Sequence, residues 1–224
     1  LGHFSGGALL VTHDRVLLER VAPLAIVTAE PEAANNPLLQ LAALELPFGS
    51  VKRLSLTLNK GERLAVVGDN GCGKSTLLRV MTGQMAAKSG DVSVTPSHRL
   101  MNQHFSFLDQ QQSALENFRR LAAGWTDDAY RTRLAQLRLR GDAAVKPLHY
   151  LSGGEQLKVA LACLFCGPTA PALLLLDEPD NHLDIESKEL LQQALHDYKG
   201  VLVVVSHDRH FIDAIGGVDY LSLS

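Results

Sequence analysis

The chain holds 224 residues, 46% of them hydrophobic and 20% charged, with a formal net charge of −3. That balance excludes a disordered chain and argues against a surface coated in basic charge for nucleic acid. No apolar run approaches the roughly 18 residues of a membrane-spanning helix, and one α/β domain would fill the length. The sequence opens Leu1-Gly2-His3, without Met and without a charged segment leading into an apolar one. The expectation is a chain that starts inside a longer protein and carries no secretory leader.

An internal repeat comes first. Residues 6–21 and 200–215 align on His13 and His207. Gly6 then meets Gly200, Val11 meets Val205, the His-Asp-Arg triplets coincide, and Phe4 falls opposite Tyr198. Each copy reads as a glycine turn, a buried strand, a polar strand end and a helix. The first copy lacks everything that precedes the second, so 1–21 reads as the tail of a preceding domain. Residues 22–43 read as a linker, in a stretch to Pro47 that holds Pro23, Pro31, Pro37 and Pro47 but no Lys or Arg. Within it, 38–46 is apolar enough to pack on a neighbour or to form the next domain's first strand.

A regular pattern follows. Strands are expected at 51–58, 63–67, 91–94, 99–102, 173–176 and 201–205. Helices are expected at 74–84, 113–121, 127–138, 153–166 and 186–198, with a short one from 208. Valine- and leucine-rich strands alternating with helices indicate a parallel α/β core. The chain has three cysteines. Cys163 and Cys166 form C-x-x-C, but the run around them reads as a buried helix and no second ligand pair stands at zinc spacing. The expected setting is a reducing cytosol.

Two segments carry chemistry. Gly68-Asp69-Asn70-Gly71-Cys72-Gly73-Lys74-Ser75 fits G-x-x-x-x-G-K-[ST] between a buried strand and a helix. Its glycines let backbone N–H groups turn around a phosphate, and the helix N-terminus adds partial positive charge. Lys74 is expected on the β- and γ-phosphates of a nucleotide, Ser75 on Mg²⁺, and Thr76 in support of the turn. The second segment is a leucine strand ending in Asp177-Glu178-Pro179. Two carboxylates at the end of a buried strand are costly unless they serve an ion or a proton. Asp177 is assigned to the Mg²⁺ shell and Glu178 to the attacking water.

Between them lies Leu151-Ser152-Gly153-Gly154-Glu155-Gln156. Ser152 and Glu155 form a capping box, and the glycines leave the helix N-terminus open to an anion. The hexapeptide, in this order with the phosphate loop and the acidic strand, resembles the signature motif of ATP-binding cassette (ABC) ATPases. The resemblance covers about 44–224, which is taken as the cassette. It implies a P-loop NTPase of the ABC type: a parallel core sheet with flanking helices, an antiparallel β subdomain and a helical signature subdomain. It further implies that Gln103 is the Q-loop glutamine touching Mg²⁺ and water, and that His207 is the switch histidine on the γ-phosphate. Residues 181–184 correspond to the D-loop, and Phe48 to the aromatic stacked on adenine.

Asp177-Glu-Pro-Asp-Asn-His-Leu-Asp184 and Val205-Ser-His-Asp-Arg-His-Phe211 resemble segments of the F branch, whose members carry two cassettes and typically act on ribosomes. Asp180 departs from that branch's Thr, a change expected to be tolerated. The branch's long charged arm between cassettes has no counterpart in 22–47, which lacks the basic residues RNA phosphates require. The resemblance also implies that an ABC site needs two cassettes, one giving the phosphate loop and the other Ser152, Gly153 and Gly154. ATP hydrolysis therefore calls for a homodimer or a missing first cassette. Competing readings are the energising subunit of a membrane transporter, a DNA-repair or chromosome ATPase and a non-hydrolysing assembly module. The 181–184 stretch and the repeat speak against the first, the lack of sustained heptads against the second, and Glu178 with His207 against the third.

Overall fold

A computed structural model describes residues 37–48, 53–165 and 170–223. The His13 repeat, most of the linker and Cys166 lie outside the described residues.

The first sheet is antiparallel. Strand β1 (Leu39–Glu45) lies between β2 (Leu54–Leu58) and β4 (Ser89–Val94). Leu39, Leu41 and Leu44 are buried in the core. The cassette's first strand therefore begins ahead of residue 44, because the alternating leucines of 38–46 have a face to bury. The change of register near Ala43 is a bulge, with Ala43 at φ 48 and its amide donating to Ser55 Oγ at 3.0 Å.

The second sheet is parallel. Its order is β5 (His98–Asn102), β6 (Leu173–Asp177), β7 (Val201–Val205), β3 (Arg63–Val67) and β8 (Asp219–Ser222). Its central strands are buried on both faces, and alternate residues feed two cores. Leu174, Leu176, Leu202 and Val204 join the helical side. Leu173, Leu175, Val201, Val203 and Val205 join β1 and helix α1 (Lys74–Met81) on the other. Such two-faced burial is why these strands read as unbroken apolar runs. Strand β8 escaped sequence reading because Asp219-Tyr-Leu-Ser222 is short and mostly exposed. Helix α1 stops at Met81 rather than continuing to residue 84, since Gly83 takes φ 71 and its amide turns back to the Val80 carbonyl.

The helical subdomain comprises α2 (Ala114–Leu121), α3 (Asp127–Gln136), the short α4 (Asp142–Val145) and a 3₁₀ turn (Leu148–Tyr150). Phe118 packs edge-on to Trp125 and Tyr130, with centroids 5.7 and 5.2 Å away. Helix α5 (Gly153–Phe165) leaves this subdomain, and Gln156 Nε2 donates to the Leu148 and Leu151 carbonyls at 3.1 Å. Helices α6 (Ile185–Asp197) and α7 (Arg209–Ile215) follow β6 and β7.

Arg63 locks these two helices to the sheet. Its guanidinium donates to the carbonyls of Ile215, Gly216, His196 and Tyr198 at 2.8–3.3 Å. A guanidinium offers five donors in a fixed fork, whereas an ammonium cannot span four such acceptors. Arg63→Lys is expected to destabilise the chain by about 1–3 kcal/mol, read as a lower urea midpoint at unchanged m-value.

Candidate functional site

Strand register sets the site. Asn102 pairs with Asp177, Asp177 with Val205, and Val66 with Val205. The residues next in sequence, Gln103, Glu178, Ser206 and the loop opening at Gly68, therefore leave the sheet at one edge. Ligands of open α/β sheets bind at this carboxyl edge.

The phosphate loop runs from β3 into α1. Gly68 sits at φ 151, and a Cβ there would lie 2.3 Å from the Leu223 carbonyl oxygen. Leu223 is held in place by its own amide, which donates to the Val67 carbonyl at 2.8 Å. Gly73, at φ 111, precedes the helix without a side-chain cap, so the first-turn amides stay available to an anion. Asp69, Asn70 and Gly71 are exposed, Cys72 is buried, and Ser75 and Thr76 are half-buried. Lys74 is buried, and its ammonium donates to the Gly68 and Asp69 carbonyls at 2.7 and 2.9 Å.

Ser75 Oγ donates to Asp177 Oδ1 at 3.0 Å, joining α1 to the end of β6. Burial pushes the Asp177 carboxyl up, and the Ser75 hydroxyl opposes that shift. A hydroxyl and a partly desolvated carboxylate in contact are hard oxygen donors that a nearby divalent cation would relieve. The pair fits Mg²⁺.

Glu178 is held on three sides. Its amide donates to the Val205 carbonyl at 2.9 Å, Asn181 Nδ2 donates to Oε2, and Oε1 lies 3.5 Å from His207 Nε2. Its φ of 49 is rare for a side-chain-bearing residue and marks strain that the surroundings impose. The structure thus brings Lys74, Ser75, Asp177, Glu178 and His207 together. Asn181, read from sequence only as part of the D-loop, joins them through Glu178. Gln103 stands beside this edge, with its Nε2 3.1 Å from His104 Nε2 rather than on Ser75 or Asp177. Phe48 is 69% exposed.

Residues 152–155 form a separate feature. Ser152 N and Oγ donate to Glu155 Oε2 at 2.9 and 3.0 Å, and Glu155 N donates to Ser152 Oγ at 3.3 Å. This is the capping box the S-x-x-E spacing predicts. Among the described residues no hydrogen bond joins 152–155 to the phosphate loop. Gly154 instead abuts the start of α6, where a Cβ would come within 2.7 Å of Ser187 Oγ. Ser187 in turn is fixed by Asp184, whose Oδ1 accepts its amide at 2.7 Å.

Compared with protein families, residues 51–181 match the one described as ABC transporter. The chain is 37% identical over 169 residues to ABC transporter F family member 5 of Arabidopsis thaliana, covering 73% of this chain and 24% of that protein. It is 36% identical over 191 residues to ATP-binding cassette sub-family F member 3 of Mus musculus, covering 81% of this chain and 26% of that protein. The chain thus spans about a quarter of the length of these relatives. Among solved structures it resembles a chain of a metal-chelate type ABC transporter in an inward-facing conformation. There the TM-score is 0.67 at 28% identity, with 84% of this chain and 80% of that one covered. Among the described residues no helix is long and apolar enough to cross a membrane.

Gly68→Ala is expected to destabilise the chain by about 2–4 kcal/mol, through strain and the clash with Leu223. Paired urea melts and titrations with a fluorescent ATP analogue should show both stability and affinity falling. The Ser187 amide holds the Asp184 carboxyl below its ordinary value. Its stabilisation is therefore present above about pH 4 and lost as pH falls through the lowered value. Asp184→Asn should retain the cap and show a shallower loss of thermal midpoint on acidification.

On its phosphate loop, acidic strand end and matching sequence, the chain belongs to the ABC family of nucleotide-binding cassettes, and its relatives in Arabidopsis thaliana and Mus musculus are members of the F branch.

Proposed function

We propose that this cassette binds Mg·ATP and hydrolyses it, with a second cassette completing the site. The observation that carries this reading is Glu178, one residue beyond the Ser75–Asp177 pair and placed between His207 and Asn181. Lys74 and the amides of 68–76 hold the β- and γ-phosphates. Ser75 and Asp177 would hold Mg²⁺, with Gln103 as a further candidate ligand, and the cation would supply charge neutralisation for the phosphate oxygens. Glu178 orients the attacking water and accepts its proton as the new O–P bond forms. His207 steadies the γ-phosphoryl group as the bond to the leaving oxygen breaks. Phe48 stacks on adenine.

Support for a composite site comes from the Ser152–Glu155 helix start, which is capped, carries two glycines and has no hydrogen bond to its own phosphate loop. It presents Ser152, Gly153, Gly154 and Glu155 to the nucleotide of a second cassette, either another copy or a preceding cassette of which 1–21 is the tail and 22–43 the connection. Translation in the cytoplasm is the biological setting favoured by the F-branch segments, although 22–47 offers no basic residue for RNA. The second reading, a transporter's ATP-binding subunit, draws on the likeness to the metal-chelate type transporter chain. Co-purification with a membrane protein would favour it.

Glu178→Gln is expected to lower turnover by at least about 100-fold while leaving ATP affinity within a few-fold of the parent. With Mg·ATP this variant should shift to a dimer in light scattering on a sizing column. Turnover per parent chain should rise with chain concentration, and a concentration-independent rate from a proven monomer would sink the composite site.

A further inference from the structure

The loop after β6 holds a buried charge that the proposed hydrolysis does not use. Asp180 is 6% exposed, and its Oδ1 has no hydrogen-bond partner. Its Oδ2 lies 3.7 Å from Lys188 Nζ on α6. The same ammonium donates to Asp208 Oδ2 at 3.0 Å. Lys188 thus stands between two carboxylates from different loops.

Each carboxylate belongs to a segment that presents one member of the Glu178–His207 pair. Asp180 lies in the turn closed by Asn181 N donating to the Glu178 carbonyl at 3.3 Å, the turn whose Asn181 side chain also grips Glu178. Asp208 follows His207 directly. Its amide donates to Ser206 Oγ at 3.0 Å, and its Oδ1 accepts the Phe211 amide at the start of α7 at 3.2 Å. The His207 backbone is therefore clamped from both sides by Ser206 and Asp208. His207 itself is 51% exposed in its side chain, so its place beside Glu178 leans on how its backbone is held.

We propose that Asp180 and Lys188 are positioning residues that set His207 against Glu178, by tying the turn after β6 to the start of α7 through Asp208. The physical basis is cost. A carboxylate as buried as Asp180 needs its counter-charge, so Lys188 cannot swing out to solvent as a surface lysine does. The anchored ammonium then fixes Asp208, and with it the residue before. The proposal rests on the reading of Glu178 and His207 as the hydrolytic pair, and its test has a readout that does not need turnover.

That readout is the His207 imidazole resonances of the full chain, labelled at histidine. In the parent, Glu178→Gln should displace them, because the carboxylate lies beside the ring. Lys188→Met should remove most of that displacement but also destabilise the chain, since Asp180 is left without its cation. Asp180→Thr combined with Lys188→Met removes the stranded charge, so the thermal midpoint should recover while the displacement stays small. Turnover should remain about tenfold down in this double variant, with KM for ATP unchanged, and Lys188→Arg should behave as the parent. A folded double variant that keeps the full displacement, or regains turnover together with stability, would overturn the proposal. A parent chain that binds no Mg·ATP would refute the proposed function instead, leaving the resonance test to decide the positioning on its own.

Discussion

The site depends on lateral pairing in the parallel sheet. Strands β6, β7 and β3 lie side by side with both faces covered, so none can slide by a residue without turning its leucines and valines into the wrong core. That locked register is what places Asp177 beside Val205 and Val205 beside Val66. Residues far apart in sequence, Gly68, Glu178 and His207, then leave the sheet at a common edge. Arg63 extends the constraint outward, since its four carbonyl acceptors tie the ends of α6 and α7 to the strand that carries the phosphate loop.

The costs in the structure gather at this edge. Lys74 is buried against backbone carbonyls, Asp177 is partly desolvated, and Glu178 sits in the left-handed region. Each is unfavourable taken alone, and each is held by a neighbour that the sheet has already fixed. Local strain concentrated where a charged ligand is to be gripped is a recurring arrangement. A phosphate group facing Lys74 and a cation facing Asp177 would relieve two of these three terms together.

Much of this was legible in the sequence, and the reason is burial. The 173–176 and 201–205 runs read as strands because both faces are covered, and the phosphate loop reads from its glycines because only they fit its φ angles. The capping box at Ser152 follows from a spacing of three residues. What the sequence did not disclose depends on contacts between distant segments. Strand β8 has no apolar pattern, since it is a half-exposed edge whose place comes from pairing with β3. The burial of Asp180 and its 3.7 Å distance from Lys188 depend on how the loop after β6 meets α6, which no local spacing encodes. Asn181 could not be assigned to Glu178 from a spacing that many turns share.

The position of the 152–155 helix start bears on how two sites could be coupled. A Cβ on Gly154 would come within 2.7 Å of Ser187 Oγ, and the Ser187 amide is held by Asp184 at the start of α6. The same helix α6 carries Lys188 one residue further on, facing Asp180 and Asp208. One turn of α6 therefore lies against Gly154 on one side and the loops of Glu178 and His207 on the other. In the proposed composite site, a displacement of Ser152–Gly154 by a partner's nucleotide would press on the turn proposed to position His207 against Glu178. Coupling between two composite sites would then need no long relay, only a small tilt of the first turn of α6.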